Sequence, residues 1–154
     1  MISRKTWAVL AGAIALQATS AAASSFVPLR SSELAQAPLI VRATAEEVSA
    51  VGNYDPNGVP CTVVRLSVIE VIKGSRQTST LEFCSLGGIE PDGRLSLPIG
   101  IPTFNKGETY LLFLNPTDWA VTPVINGTLG MLREVQDGDR TIFVSAEGAQ
   151  GSLI

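Results

Sequence analysis

Short runs in which apolar and polar residues alternate, separated by glycine- and proline-rich breaks, fill most of the chain after Pro38. A period of two is the signature of strands with one buried face. The strongest run is Cys61–Lys73 (CTVVRLSVIEVIK), where Val64, Leu66 and Val68 alternate with Arg65 and Ser67. Beyond Val68 the phase slips, so that Ile69 and Val71 flank Glu70. A one-residue slip predicts a β-bulge, which bends a strand. Further strands are expected at Leu39–Val48, Leu81–Cys84, Arg94–Leu97, Ala120–Ile125, Gly130–Val135 and Arg140–Ser145. Thr109–Leu114 (TYLLFL) is nearly continuous in its apolar character, which suggests a strand covered on both sides. Turn formers punctuate these runs at Gly52–Gly58, Lys73–Ser75, Glu90–Gly93 and Asp137–Gly138, the last pair predicting a tight hairpin. Ahead of them, Ser31-Ser32-Glu33 starts a short helix that runs to about Ala37 and stops at Pro38. Seven or eight short strands and one short N-terminal helix predict an all-β fold, a small closed or partly open barrel with a β-sandwich as the alternative.

The first part of the chain breaks this pattern. Arg4 and Lys5 precede the ten-residue apolar run Trp7–Leu16, and Ala21-Ala22-Ala23 follows a polar interruption. Charge, apolar core and small residues in that order predict a secretory signal peptide over residues 1–23, cut between Ala23 and Ser24. The alternative is a retained anchor, for which the run is short of the ~20 apolar residues that cross a bilayer. No membrane span is then expected after cleavage, and 24–154 is expected to form one β-rich domain that is secreted or periplasmic.

Cleavage changes the charge. Nine Lys and Arg would face 14 acids, a net charge of −5 for the mature chain. A mildly acidic chain with scattered basic residues repels phosphate backbones and anionic lipid, so nucleic acid is not an expected partner. Export also bears on Cys61 and Cys84, because thiols oxidise outside the cytoplasm. A bond between them would contribute on the order of 3 kcal/mol in the chain-entropy model. Two buried free thiols are the alternative.

The chain contains no histidine, which removes His-dependent triads and imidazole metal sites. Two cysteines are too few for a four-ligand zinc site, and no G-x-S-x-G elbow occurs. Gly87-Gly88 lies between strands with no helix behind it to cradle a phosphate. Three carboxylate pairs are left: Glu46-Glu47, Glu90 with Asp92, and Asp137 with Asp139. Adjacent strand residues point to opposite faces, and acids beside turns ordinarily bond their own backbone or water. Two carboxylates at Asp137–Asp139 also fall short of a calcium site. Asn126-Gly127-Thr128 matches a glycosylation acceptor and equally a β-turn. No catalytic residue, cofactor site or metal site is therefore expected. The aromatics Tyr54, Phe104 and Trp119 fall in loops, where they either anchor a binding surface or pack beneath the loop.

The order of motifs carries a resemblance. VVRLSVIEVIKG (Val63–Gly74), LGG (Leu86–Gly88), IPTFNKGETYLLFL (Ile101–Leu114) and TPVINGTLGML (Thr122–Leu132) resemble a group of largely uncharacterised exported bacterial proteins. That group is similar in turn to netrin-like, OB-type barrels such as the tissue inhibitors of metalloproteinases. The likeness spans about Leu34–Val135 and implies a small barrel. Inhibitors of that family chelate a catalytic zinc through an N-terminal cysteine, whereas the mature chain here would begin at Ser24, with its first cysteine at Cys61. Only the barrel carries over.

The expected function is accordingly that of an exported, non-enzymatic binding module, its partner an unidentified protein or extracellular ligand. The Gly52–Pro60 loop and the Gly88–Gly107 connection, including Phe104, are the expected contact surfaces. A structural cell-envelope component is the alternative, followed by a carboxylate-dependent hydrolase.

Overall fold

The structure is a computed structural model that describes residues 31–75, 78–117 and 120–146. Ala23, Ser24, the whole signal segment and Trp119 lie outside the described residues. The chain opens with α1 (Ser31–Leu34), a single turn extended to Ala37 by hydrogen bonds from Gln36 N to Glu33 O and Ala37 N to Leu34 O. The helix is thus shorter than expected, because Pro38 leaves it no room to propagate.

Strands follow in the order β1 (Leu39–Ser49), β2 (Cys61–Lys73), β3 (Thr80–Leu86), β4 (Gly88–Ile89), β5 (Leu95–Ser96), β6 (Thr109–Leu114), β7 (Met131–Asp137) and β8 (Arg140–Ser145), with a 3-10 turn at Gly127–Gly130 before β7. Six of them form one antiparallel sheet, β3-β2-β1-β6-β7-β8, while β4 and β5 pair as a small separate hairpin. The fold is all-β, as the alternation predicts. It is not a closed barrel: β3 and β8 stand at opposite ends of the sheet order without pairing, and the sheet is partly open and sandwich-like.

Bulges curl the sheet. Val68 faces Ala43 and Glu70 faces Arg42, leaving Ile69 without a partner where the alternation slips. Two more irregularities interrupt the β1–β2 ladder, between Ile40 and Val41 and between Ala45 and Glu47. On the concave face Val41, Ala43 and Ala45 of β1 are fully buried beside Val64 and Leu66 of β2. The small alanines leave space for larger side chains from the neighbouring strands. Leu112 and Leu114 complete this core from β6, and burying each such side chain is worth about 1.5–3 kcal/mol. The other face of β6 is half-buried, so TYLLFL is covered on one side and partly shielded on the other.

One ring shows how far the sheet curls. Phe104, from the connection between β5 and β6, packs edge-on against Phe83 of β3 and Tyr110 of β6, with centroid distances of 5.8 and 5.3 Å. Those strands are three apart in the sheet, roughly 14 Å if it were flat. The sheet must curve for a single ring to reach both, and the connection lies across its concave face.

The expected strand at Ala120–Ile125 does not form. Only an isolated bridge between Leu114 and Val124 marks it, flanked by Asn115 N to Pro123 O and Ile125 N to Phe113 O. Pro123 removes a donor in the middle of the segment. The β7–β8 hairpin is as predicted, with Asp137 opposite Arg140 and Gly138 supplying a positive φ of 59° at the first turn position.

Candidate functional site

The site arises where β3 runs out. Leu81, Phe83 and Ser85 of β3 point inward, beside Thr62 and Val64 of β2. After Leu86 the chain turns at Gly87 (φ 99°), forms the β4–β5 hairpin, and returns over the concave face through residues 97–104. A cavity of about 600 Å³ remains between that returning loop and the strands. Its walls include Val48, Thr62, Val64 and Ser85 on the sheet side, and Ile101 and Phe104 on the loop side. None of the residues that line it carries a charge.

Backbone hydrogen bonds hold this architecture at several points. Ile89 N donates to Ala50 O (2.6 Å) and Gly52 N to Ile89 O (3.0 Å), tying the hairpin to the end of β1. Gly87 N donates to Pro60 O (2.9 Å), and Thr62 Oγ1 donates to Gly87 O (2.7 Å). Gly88 sits so close to both strands that a β-carbon there would lie 2.8 Å from Ala50 O and 2.9 Å from Cys61 O. The loop is fastened at its middle by Thr128 N, which donates to Gly100 O (3.0 Å). Ile99, Gly100 and Ile101 therefore form a wall shared with a second cavity of about 310 Å³, lined also by Asn115 and Thr122.

The disulfide is present. Cys61 and Cys84 are bonded across the β2–β3 ladder with their Cα atoms 5.5 Å apart. Cys61 faces Leu86 and Cys84 faces Val63, so the bond runs diagonally beneath the cavity's sheet-side wall, on the opposite face from Val64 and Ser85.

Among the described residues, two buried side-chain polar atoms have no hydrogen-bond partner, Ser85 Oγ and Arg133 Nε. Arg133 still engages Glu108 through Nη1 (3.3 Å). Ser85 has no such compensation, and only 2% of it is exposed. A buried hydroxyl in this condition costs about 1–3 kcal/mol.

Several charged and titratable groups pair with one another away from the cavities. Tyr110 Oη donates to Glu108 Oε2 (2.7 Å) and accepts from Asn105 N (2.9 Å), fixing the end of the connection onto β6. Burial pushes the Tyr110 hydroxyl well above the ordinary tyrosine range, so it stays protonated. Burial alone would raise the Glu108 carboxyl too, but hydrogen bonds from Tyr110, Asn105 and Arg133 outweigh it and hold it below its ordinary value. Glu47 and Glu82 share Arg65, while Glu90 and Asp92 share Arg94. Neither cavity is lined by a carboxylate, and no group of three or more His, Cys, Asp or Glu among the described residues could hold a metal ion.

The residues expected to form a binding surface take different positions. Tyr54 is 47% exposed in the Gly52–Pro60 loop, away from the cavity. That loop is organised by Asp55, whose Oδ1 accepts from the backbone of Val59 (2.8 Å) and Asn57 (2.9 Å); these bonds hold its carboxyl below the usual range. Phe104 points inward, 6% exposed, as a core ring and a cavity wall rather than a surface aromatic. Asn126 takes the turn conformation, with φ 53°, and leads into the 3-10 segment. The sequence does not single out Ser85, because the alternation predicts a strand that ends at Cys84. The signal was a serine continuing the inward register of Leu81 and Phe83. No protein-family model matches the chain, and no curated protein and no solved structure matches it at a significant level.

Proposed function

We propose that this protein is an exported, non-enzymatic binding module that holds a small molecule in the cavity between the curved sheet and the 97–104 loop. The observation that carries this reading is the cavity itself: about 600 Å³, uncharged, and bounded by a disulfide-tied strand pair and a hydrogen-bonded loop. Its volume lies in the range of pockets that enclose drug-sized ligands. An extracytoplasmic location is supported by the disulfide and by the signal-like N-terminus. No helix among the described residues is long and apolar enough to cross a membrane. Kinship with netrin-like, OB-type barrels belongs to the proposal as well, and the ligand reading does not depend on it.

A cavity-filling variant tests the reading. Ala50 lines the cavity and is half-buried, so Ala50→Phe adds bulk there without disturbing the central core. Nile red, a neutral solvatochromic dye, is expected to bind the wild-type protein saturably and to lose that binding in Ala50→Phe at unchanged melting temperature. Equal binding by both proteins would remove the cavity from consideration.

One observation favours a second reading, a protein-docking end. Val51 bridges to Ile89, Ile89 pairs with Leu95, and Val51, Leu95, Leu97 and Ile99 are 62%, 60%, 58% and 97% exposed. Contiguous exposed apolar side chains of this kind mark interaction surfaces. Recovery of one protein by the wild type and its loss with Leu95→Asp, at a position that lines neither cavity, would support that reading.

A further inference from the structure

The geometry points to a neutral, mainly apolar ligand carrying one hydrogen-bonding group, a carbonyl or hydroxyl, that meets Ser85 inside the cavity. This inference rests on the cavity reading above and names its ligand class. Three observations carry it.

The first is charge. No Lys, Arg, Asp or Glu lines the cavity, so an ionised group placed there would be desolvated without a counter-ion. A charged ligand is thereby disfavoured. The second is the wall chemistry. Val48, Val64, Ile101 and Phe104 present apolar surface, and the inward hydroxyl of Thr62 is already donated to Gly87 O. The third is Ser85. Ser85 is one of the residues that line the cavity, its hydroxyl is buried, and no protein group bonds it. Alanine would fit the same place without the penalty of an unsatisfied hydroxyl. A serine hydroxyl reorients freely and both donates and accepts, so it can turn to a ligand oxygen where no protein atom serves. Pockets of this composition take their specificity from a few placed polar groups.

Three fluorescent probes and one substitution test this on the oxidised full chain. Diphenylhexatriene is a pure hydrocarbon, prodan a neutral ketone, and anilinonaphthalene sulfonate an anion. Prodan is expected to bind Ser85→Ala about five-fold more weakly than the wild type, the effect of one hydrogen bond. Diphenylhexatriene should bind both proteins equally and be displaced by prodan, and the sulfonate should displace neither. The ligand-free Ser85→Ala protein should melt at a higher temperature than the wild type, which also establishes that the variant folds. Equal prodan affinity in the two proteins, or a lowered melting temperature, would overturn the role of Ser85 while leaving the cavity as a binding site. Displacement of prodan by the sulfonate at comparable concentration would overturn the neutral class. If no probe binds the wild type, both this inference and the small-molecule reading fall.

Discussion

Arg42 and Glu134 stand on β1 and β7 with β6 between them, yet their side chains meet in a bidentate pair of 2.6 and 2.8 Å. The pair crosses a central strand on the convex face, where Glu134 keeps 12% of its side chain exposed and Arg42 keeps 31%. Hydrogen bonding to Arg42 holds the Glu134 carboxyl below its ordinary value, more than offsetting the effect of burial. A carboxylate with a depressed folded-state pKa contributes stability above its unfolded pKa of about 4.3, and that contribution disappears as pH falls through the folded value. Glu108, Asp55 and Asp92 are shifted in the same direction. With no histidine in the chain, stability is expected to change little around neutrality and to fall below about pH 4. Urea midpoints measured from pH 3 to 7 check this, and Glu134→Gln should flatten the acid limb. A steep change between pH 6 and 7 would contradict it.

At the scale of elements, the β2–β3 pair bears both the disulfide and the cavity's sheet-side wall. β3 is an edge strand whose only strand partner is β2, so the bond between Cys61 and Cys84 fastens an edge of the sheet. Its sequence separation of 23 residues corresponds to about 3 kcal/mol of stabilisation through the unfolded chain. Unfolding of the double variant Cys61→Ala/Cys84→Ala should show that loss as a lowered urea midpoint with a steeper slope, because the freed unfolded chain exposes more surface. An unchanged midpoint would mean that the β2–β3 ladder and the core alone hold the edge. The elements themselves were readable from the chain to different degrees. Cys61–Lys73 and Thr109–Leu114 have the bounds that alternation predicts, and the slip after Val68 is the bulge at Ile69. Ala120–Ile125 looked like a strand because it is apolar, but Pro123 breaks its ladder and leaves a single bridge.

The whole molecule is organised by a connection that has no regular structure. Residues 97–107 cross the concave face of a six-stranded sheet that curls without closing, and the buried ring of Phe104 ties β3 to β6. Phe104→Ala is expected to cost about 3–5 kcal/mol, more than a surface loop aromatic would. Thermal unfolding checks this, and a cost below about 0.5 kcal/mol, the range of surface substitutions, would contradict the bridging role.

Most strand positions, the bulge, the hairpin at Gly138 and the all-β class follow from the chain alone, because they depend on local periodicity and on backbone freedom that each residue carries with it. The pairing of Cys61 with Cys84 was one of two outcomes compatible with the composition, and it required the β2–β3 register to bring the two α-carbons to 5.5 Å. Whether the barrel closes, whether Phe104 faces water or core, and that Ser85 lies unbonded in an uncharged cavity were decided only by the tertiary structure. Each is a relation between segments far apart in sequence, set by how the curved sheet and the returning loop share one interior volume.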